Sequence, residues 1–271
     1  MAETDMTLQE AADALGVHYM TAYRYVRLGL LPAHKGGSTW RVDPTDVEAF
    51  KLTSASDAAS APGRRRKAPW AERLEARLLA GDLRGAWGVV EAAMAAGATI
   101  DVIYLDVIAP AMASIGEGWE AGKVDIAAEH RASGIALRLV SRLGPRFARR
   151  GRTRGTVVLG TPAGERHSLP VAMLADLVRA AGFEVSDLGA DLPPDSFATL
   201  AGAVSNLVAV GVSCTSDEAV KAVAATITSL RSTIGAVPVV LGGRALRDAA
   251  HARSLGADAY AADGRAFVEL L

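Results

Sequence analysis

Five short runs rich in β-branched and aliphatic residues, Thr156 to Gly160, Phe183 to Leu188, Leu207 to Ser213, Pro238 to Leu241 and Ala257 to Ala261, alternate with helical stretches across residues 151–271. The intervening helical patterns cover Leu169 to Ala181, Ser196 to Val204, a stretch reaching about Ser232, one starting at Ala245, and the C-terminus. Strand and helix in regular alternation imply parallel strands buried on both faces, hence a doubly wound parallel sheet. Ligands of such sheets sit beyond the carboxyl ends of the strands. The segments following the strands are therefore where chemistry is expected.

Upstream of the sheet the pattern changes. Residues 69–150 carry helical periodicity broken at Gly81-Asp82, Gly97 and Gly122-Lys123, which yields four helices and, as the economical packing, a four-helix bundle. Residues 52–68 are Ser, Ala, Pro and Gly followed by the basic run Arg64 to Lys67, and read as a linker. Residues 1–51 open with two short helices around the Gly16 turn. The pair Gly36-Gly37 and the run Trp40-Arg41-Val42 after it then predict a hairpin wing. The expected fold is multidomain α and α/β: a winged helix-turn-helix at 1–51, a bundle at 69–150 and a Rossmann-like sheet at 151–271.

Composition limits the function. Half of the 271 residues are hydrophobic and 22% are charged, enough apolar material for packed cores. The net charge of -1 gives no general attraction to nucleic acid or to an anionic surface, so any such claim must rest on local motifs. Cys214 is the single cysteine, which excludes an internal disulfide and a thiolate metal cluster and reads as a small buried residue at a strand end. With no leader-like or membrane-spanning run and no repeat, the expectation is a cytoplasmic protein without membrane association.

If the second helix reads DNA, Thr21, Arg24 and Arg27 lie away from its apolar face, with Tyr19 and Tyr23 near the backbone and Lys35 and Arg41 on the wing. Residues 1–50 hold four basic and seven acidic side chains, so this module alone binds non-specific DNA weakly. Dimerisation or the Arg64 to Lys67 cluster would have to help. A helical adaptor for a protein partner stays open as the alternative. The run VHYMTAYRYVRLGLLP with GGSTWRVDPTDVEAF resembles the excisionase and MerR-like winged helix-turn-helix family across about residues 6 to 51, which implies double-stranded DNA as partner.

The segment Gly160 to Pro170 follows the first strand of the sheet. Within it His167 can coordinate a metal while Glu165, two residues earlier, holds the other ring nitrogen and raises its basicity. One histidine cannot hold a free ion, whereas a metal already inside a macrocycle needs a single axial donor. A tetrapyrrole-type cofactor is therefore expected, against the plainer alternative of a surface or capping histidine. Glu165-x-His167, Ser213-Cys-Thr215 and Gly242-Gly243, in this order and at these strand ends, resemble the motifs of cobalamin-binding domains. The resemblance implies that His167 is the lower cobalt ligand and that the displaced nucleotide base enters a slot lined by the Ser213 and Thr215 hydroxyls and by Gly242 and Gly243. Glu165 stands where that family commonly has Asp, and Pro170 where it usually has Gly.

In the bundle, Trp119 is followed after nine residues by Glu129-His130, across the Gly122 turn. This spacing and the three-domain order resemble the cobalamin photoreceptor regulators of the CarH type. The resemblance implies adenosylcobalamin as cofactor, Trp119 and Glu129 against its adenosyl group, and light breaking the cobalt–carbon bond. A light-dependent change between homo-oligomeric states, dimer or tetramer, on DNA would follow, with no enzymatic turnover. Glu120 departs from the pattern, because well-known members place there a His that captures cobalt after light; His130 as upper ligand, water in its place, or loss of the corrinoid are the alternatives that stay open. Two other readings stay open: a cobalamin-level sensor without light response, and a corrinoid methyl carrier. The sequence also leaves room for a second, bilin-type chromophore.

Overall fold

The structure, a computed structural model, describes residues 5–15, 19–27, 31–36, 39–50, 68–146 and 151–271. The side chains at 20, 21, 24 and 27 and the expected linker at 51–67 lie outside the described residues. Contacts divide the chain into two compact units, Met1–Lys67 and Ala68–Leu271.

In the first unit, strand β1 (Met6–Thr7) leads into a helix at Leu8–Ala14, and a second helix spans Tyr19–Arg27. Thr7 starts the first helix with a full capping box: its hydroxyl accepts from the Glu10 amide while the Glu10 carboxylate accepts from the Thr7 amide at 2.7 Å. Strands β2 (His34–Gly36) and β3 (Thr39–Val42) form the expected antiparallel hairpin. β1 also pairs with β3, so the sheet has three strands, a pairing too short to show as periodicity. A further helix covers residues 44–50. Leu8, Ala11, Ala12, Ala22, Leu31, Val42 and Val47 close the core.

The second unit begins with the bundle. Its helices are Trp70–Leu79, Leu83–Ala95, a third running through Ile100–Val102, Ile103–Ile108 and Ala109–Glu120, and Ile126–Leu143. Asp82 and Asp125 cap the second and fourth by accepting from the Gly85 and Ala128 amides. Helical periodicity predicted an extension to about Arg150; the helix stops at Leu143, a single 3-10 turn runs Gly144–Arg146, and residues 147–150 lie outside the described residues. The third helix holds a surprise for pattern reading: Ile103–Ile108 is π-helical, with Ile103, Tyr104, Val107 and Ile108 buried. Such a bulge rotates the face that follows it and occurs often at functional sites.

Strands β4 (Thr156–Gly160), β5 (Glu184–Asp187), β6 (Leu207–Ser213), β7 (Val239–Gly242) and β8 (Ala259–Ala261) form one all-parallel sheet, ordered β5-β4-β6-β7-β8. Its helices are Leu169–Ala180, Pro194–Gly202, Val220–Ile234, Ala249–Ser254 and Gly264–Glu269. The fourth begins at Ala249 and not at Ala245 as periodicity suggested. Turn bonds from the Ala245 amide to Cys214 and from Leu246 to Gly243 hold the preceding residues out of helix, and Asp248 supplies the cap. Strand order reverses between β4 and β6, which makes their carboxyl ends the switch-point crevice.

Bundle and sheet share a core. Leu169, Met173 and Leu177 of the first sheet helix pack among the bundle residues Leu74, Ile103 and Ile115. At the π-helical stretch the Tyr104 hydroxyl donates to Asp176 at 2.7 Å, Asp176 also accepts from Arg179 at 3.1 Å, and Arg265 reaches Asp101 at 2.9 Å. Burial, reinforced by the bond to Asp176, pushes the Tyr104 phenol well above its ordinary range, so it acts as a fixed donor. Tyr104→Phe is expected to lower unfolding stability by about 1–2 kcal/mol by leaving Asp176 one donor short. Urea unfolding read at the bundle tryptophans checks it, and an unchanged midpoint would count against that link.

Candidate cofactor site

The loop after β4 and the loop after β6 meet at Glu165. This carboxylate is fully buried, and all four of its partners are donors. One oxygen accepts from the His167 amide at 3.0 Å and from His167 Nδ1 at 2.5 Å; the other accepts from the Thr215 and Ser216 amides at 2.5 and 2.7 Å. Burial alone would raise the pKa of this group. The bonds to His167, Ser216 and Thr215 outweigh it and bring the carboxyl down to about 2. An ionised carboxylate only accepts, so Nδ1 of His167 carries the hydrogen and Nε2 of the neutral ring keeps its lone pair. Nε2 makes no hydrogen bond among the described residues, and the side chain is 59% exposed.

His167 feels charge from both sides of the crevice. The hydrogen bond to Glu165 is the chief cause that raises its pKa; partial burial opposes it, Glu129 of the bundle raises it further and Arg244 lowers it. Glu129 thus faces His167 electrically from the bundle side. It sits in the first turn of the fourth bundle helix, held by the Ser133 hydroxyl at 2.6 Å and by His130 Nδ1 at 2.7 Å. Trp119 lies in the last turn of the third helix and is 47% exposed, an unusual state for an indole. His130 is exposed with its Nε2 unengaged among the described residues.

Beside the switch point a cavity of about 240 Å³ opens at the carboxyl ends of β6, β7 and β8. Ser213, Gly242, Gly243, Met173, Leu177 and Phe267 are among the residues around it, and its wall is chiefly apolar. Gly243 has a positive φ of 111°, and a Cβ there would lie 2.2 Å from the Cys214 carbonyl oxygen. Backbone therefore comes as close as atoms allow at the slot mouth. Thr215 contributes its amide to Glu165 and does not line the slot. Cys214 is buried beneath, its thiol pushed up to about 12 by burial and by the nearby Glu165 and Asp217.

Sequence reasoning missed three participants. The Ser216 amide completes the clamp on Glu165, and Arg244, next after the paired glycines, forms an ion pair with Glu120 at 2.8 Å. Phe267 enters the slot from the terminal helix. An arginine directly after the glycine pair was the one available signal. In the first unit, Tyr19 and Tyr23 stack at 6.5 Å, Lys35 lies over Trp40 at 5.8 Å, and Arg41 donates to the Asp5 carbonyl at 3.1 Å. Arg41 is thereby partly occupied in holding β1. Thr21, Arg24 and Arg27 are on the second helix, their side chains outside the described residues.

These residues fit a corrinoid. A lone imidazole with a fixed tautomer suits a metal already held by a macrocycle, and among the described residues no three His, Cys, Asp or Glu side chains gather to hold a free ion. The cavity beside it has a chiefly apolar wall that includes Gly242 and Gly243. Comparison with known families agrees: a B12 binding domain matches residues 155–271, a second B12 binding domain 70–143, and a helix-turn-helix domain 6–53. The dimethylamine corrinoid protein of Methanosarcina barkeri is 32% identical over 161 residues, 57% of this chain and 73% of that protein. The chain belongs to the B12-binding family. The HTH-type transcriptional repressor CarH of Myxococcus xanthus is 29% identical to this B12-binding protein over 206 residues, 75% of this chain and 67% of the repressor. That likeness, with a helix-turn-helix ahead of two B12-binding domains, fits a CarH-type cobalamin-binding regulator. The monomethylamine corrinoid protein of Methanosarcina barkeri superposes with a TM-score of 0.63 at 17% identity, over 73% of this chain and 96% of that one, and so shares the fold. No helix among the described residues is long and apolar enough to cross a membrane.

Proposed function

We propose that this chain is an adenosylcobalamin-dependent, light-responsive DNA-binding regulator, in which His167 would be the protein's donor to cobalt and Trp119 and Glu129 would form the cap. The observation that carries the reading is the His167 imidazole held by the buried Glu165 with Nε2 left unengaged at the carboxyl end of β4, in a chain that also has a helix-turn-helix. The bound group would supply a photolabile cobalt–carbon bond. The protein supplies the rest: Glu165 fixes the imidazole tautomer, Ser213, Gly242 and Gly243 admit the base, and Trp119 covers the upper ligand with apolar surface. Glu120 is paired with Arg244 while His130 keeps its Nε2 unengaged among the described residues, which makes His130 the cap donor of this reading. A movement of the cap at Trp119 and Glu129 would change the oligomer, and the second helix with Thr21, Tyr23, Arg24 and Arg27 and the wing with Lys35 and Arg41 would carry that change to DNA.

The 32% likeness to a corrinoid protein favours a second reading, a corrinoid carrier that serves an enzyme. The N-terminal helix-turn-helix counts against it. Full-length protein loaded with adenosylcobalamin in darkness should show a corrinoid spectrum that shifts under green light together with its elution volume. A bound but light-silent corrinoid would favour the carrier or a cobalamin-level sensor. His167→Ala should remove the protein's axial donor and change the dark spectrum. Trp119→Ala should keep the corrinoid bound while abolishing the light-dependent change in mass; a response that survives intact would overturn the cap role.

A further inference from the structure

Outside the cofactor site, the end of the bundle carries a basic surface that nothing in the crevice uses. Arg138 and Arg142 share a face of the fourth bundle helix at i,i+4 spacing, and Arg146 follows four residues on, in the 3-10 turn. All three are exposed. The Arg142 guanidinium lies 3.8 Å and that of Arg146 5.2 Å from the centre of the Trp87 ring. Trp87 itself is buried, and its indole nitrogen has no hydrogen-bond partner. Two cations drawn to one ring repel each other, so the aromatic attraction must offset a real cost. What results is a pair of guanidiniums gathered at one ring, with no carboxylate partner among the described residues.

Among the described residues no carboxylate pairs with Arg138, Arg142 or Arg146, although Glu91 lies one turn beyond Trp87 on its helix. The sequence explains why. From Arg131 to Gly164 there are eight arginines and no acidic residue. Stacked guanidiniums with unpaired edges are suited to bidentate contacts with phosphate oxygens. The row from Arg138 to Arg146 spans roughly 12 Å at helical rise, long enough to lie beside successive phosphates of one strand.

We propose that Arg138, Arg142 and Arg146, ordered against Trp87, form a phosphate-contact surface for duplex DNA. The inference rests on the DNA-binding reading above and resolves a difficulty within it. Residues 1–50 carry four basic and seven acidic side chains, so the recognition module cannot itself supply the sequence-independent attraction on which such proteins depend. A second surface on the same chain can.

The test is the salt dependence of random-sequence duplex binding by full-length, cofactor-loaded protein. Replacing all three arginines with Gln should make the slope of log affinity against log salt shallower by about 2–3 and weaken binding about 10–100-fold at low salt. Arg138→Gln, which does not touch Trp87, should remove about one unit of slope, and the triple Lys variant should keep most of it. Thermal unfolding and the corrinoid spectrum identify a variant that has merely misfolded, in which case Arg138→Gln decides alone. An unchanged slope in that variant and the folded triple variant, with the unaltered protein binding normally, overturns the inference and leaves the DNA-binding reading standing. No DNA binding by the unaltered protein overturns both. Loss of binding to anionic vesicles with the DNA slope intact would assign the surface to a membrane and also overturn it.

Discussion

Glu165→Gln is expected to weaken cobalamin binding about 10–100-fold while the free protein stays folded, with a loss of about 1–3 kcal/mol. The reason lies in the count of donors. Four N–H groups converge on a carboxylate that has none of its own. Glutamine must turn its NH2 toward one pair. Facing Thr215 and Ser216, it would leave two buried amides opposed by donors, with no way to adapt. Facing His167 is less costly: it leaves only the His167 amide opposed by a donor, because the imidazole can move its hydrogen from Nδ1 to Nε2 and accept. That tautomer has no lone pair on Nε2, the atom available for cobalt, so the fold survives while the donor is lost. Glu165→Asp keeps a carboxylate that only accepts, withdrawn by one methylene, so it retains the Nδ1–H tautomer and should lose less than Gln. The measurement is a dark titration with adenosylcobalamin followed by absorption, beside a urea curve of the free protein. A Gln variant with unaltered affinity and spectrum would show that the tautomer of His167 does not control binding.

How much of this was legible in advance follows from the range of each interaction. The strand at Leu207–Ser213 and the cap at Thr7 were written in local residue types, and the structure has both. His167 could be singled out because strand ends of a parallel sheet point to a crevice, whatever the neighbours are. The clamp was only half visible. Glu165 two residues from His167 is a local signal, whereas its second grip, on Thr215 and Ser216 some fifty residues away, depends on β4 lying beside β6. The π-helical turn at Ile103–Ile108 left no mark in the apolar spacing, since an extra residue per turn shifts the pattern without breaking it. The stacking of Arg142 and Arg146 on Trp87 joins different helices and was likewise out of reach. Counting charges along 131–164 would have marked the basic stretch, though not the ring that orders it.

Gly243→Ala should disable the site from the other side, and by pure backbone geometry. The Cβ would stand 2.2 Å from the Cys214 carbonyl oxygen and 2.8 Å from its amide nitrogen, atoms of a buried backbone segment at the end of β6. No side-chain rotation relieves such an overlap, and φ of 111° is a region that L-residues avoid. Either β6 and β7 separate at their carboxyl ends, or the loop from Gly243 to Leu246 rearranges. Both outcomes break the Cys214 to Gly242 and Ala245 to Cys214 bonds and distort the wall of the slot. A stability loss of about 3 kcal/mol is expected, together with loss of corrinoids that carry the nucleotide base. Gly134→Ala is the control: it lies within the fourth bundle helix with nothing within 4 Å of the new atom, so helix propensity should stabilise it by about 0.5–1 kcal/mol. If both variants unfolded at the same urea concentration as the unaltered chain and bound cobalamin equally, the close approach at Gly243 would be incidental and the slot would have to be sought elsewhere. A large loss at Gly243 alone would tie the base slot to a position where only a hydrogen atom fits between two strand ends.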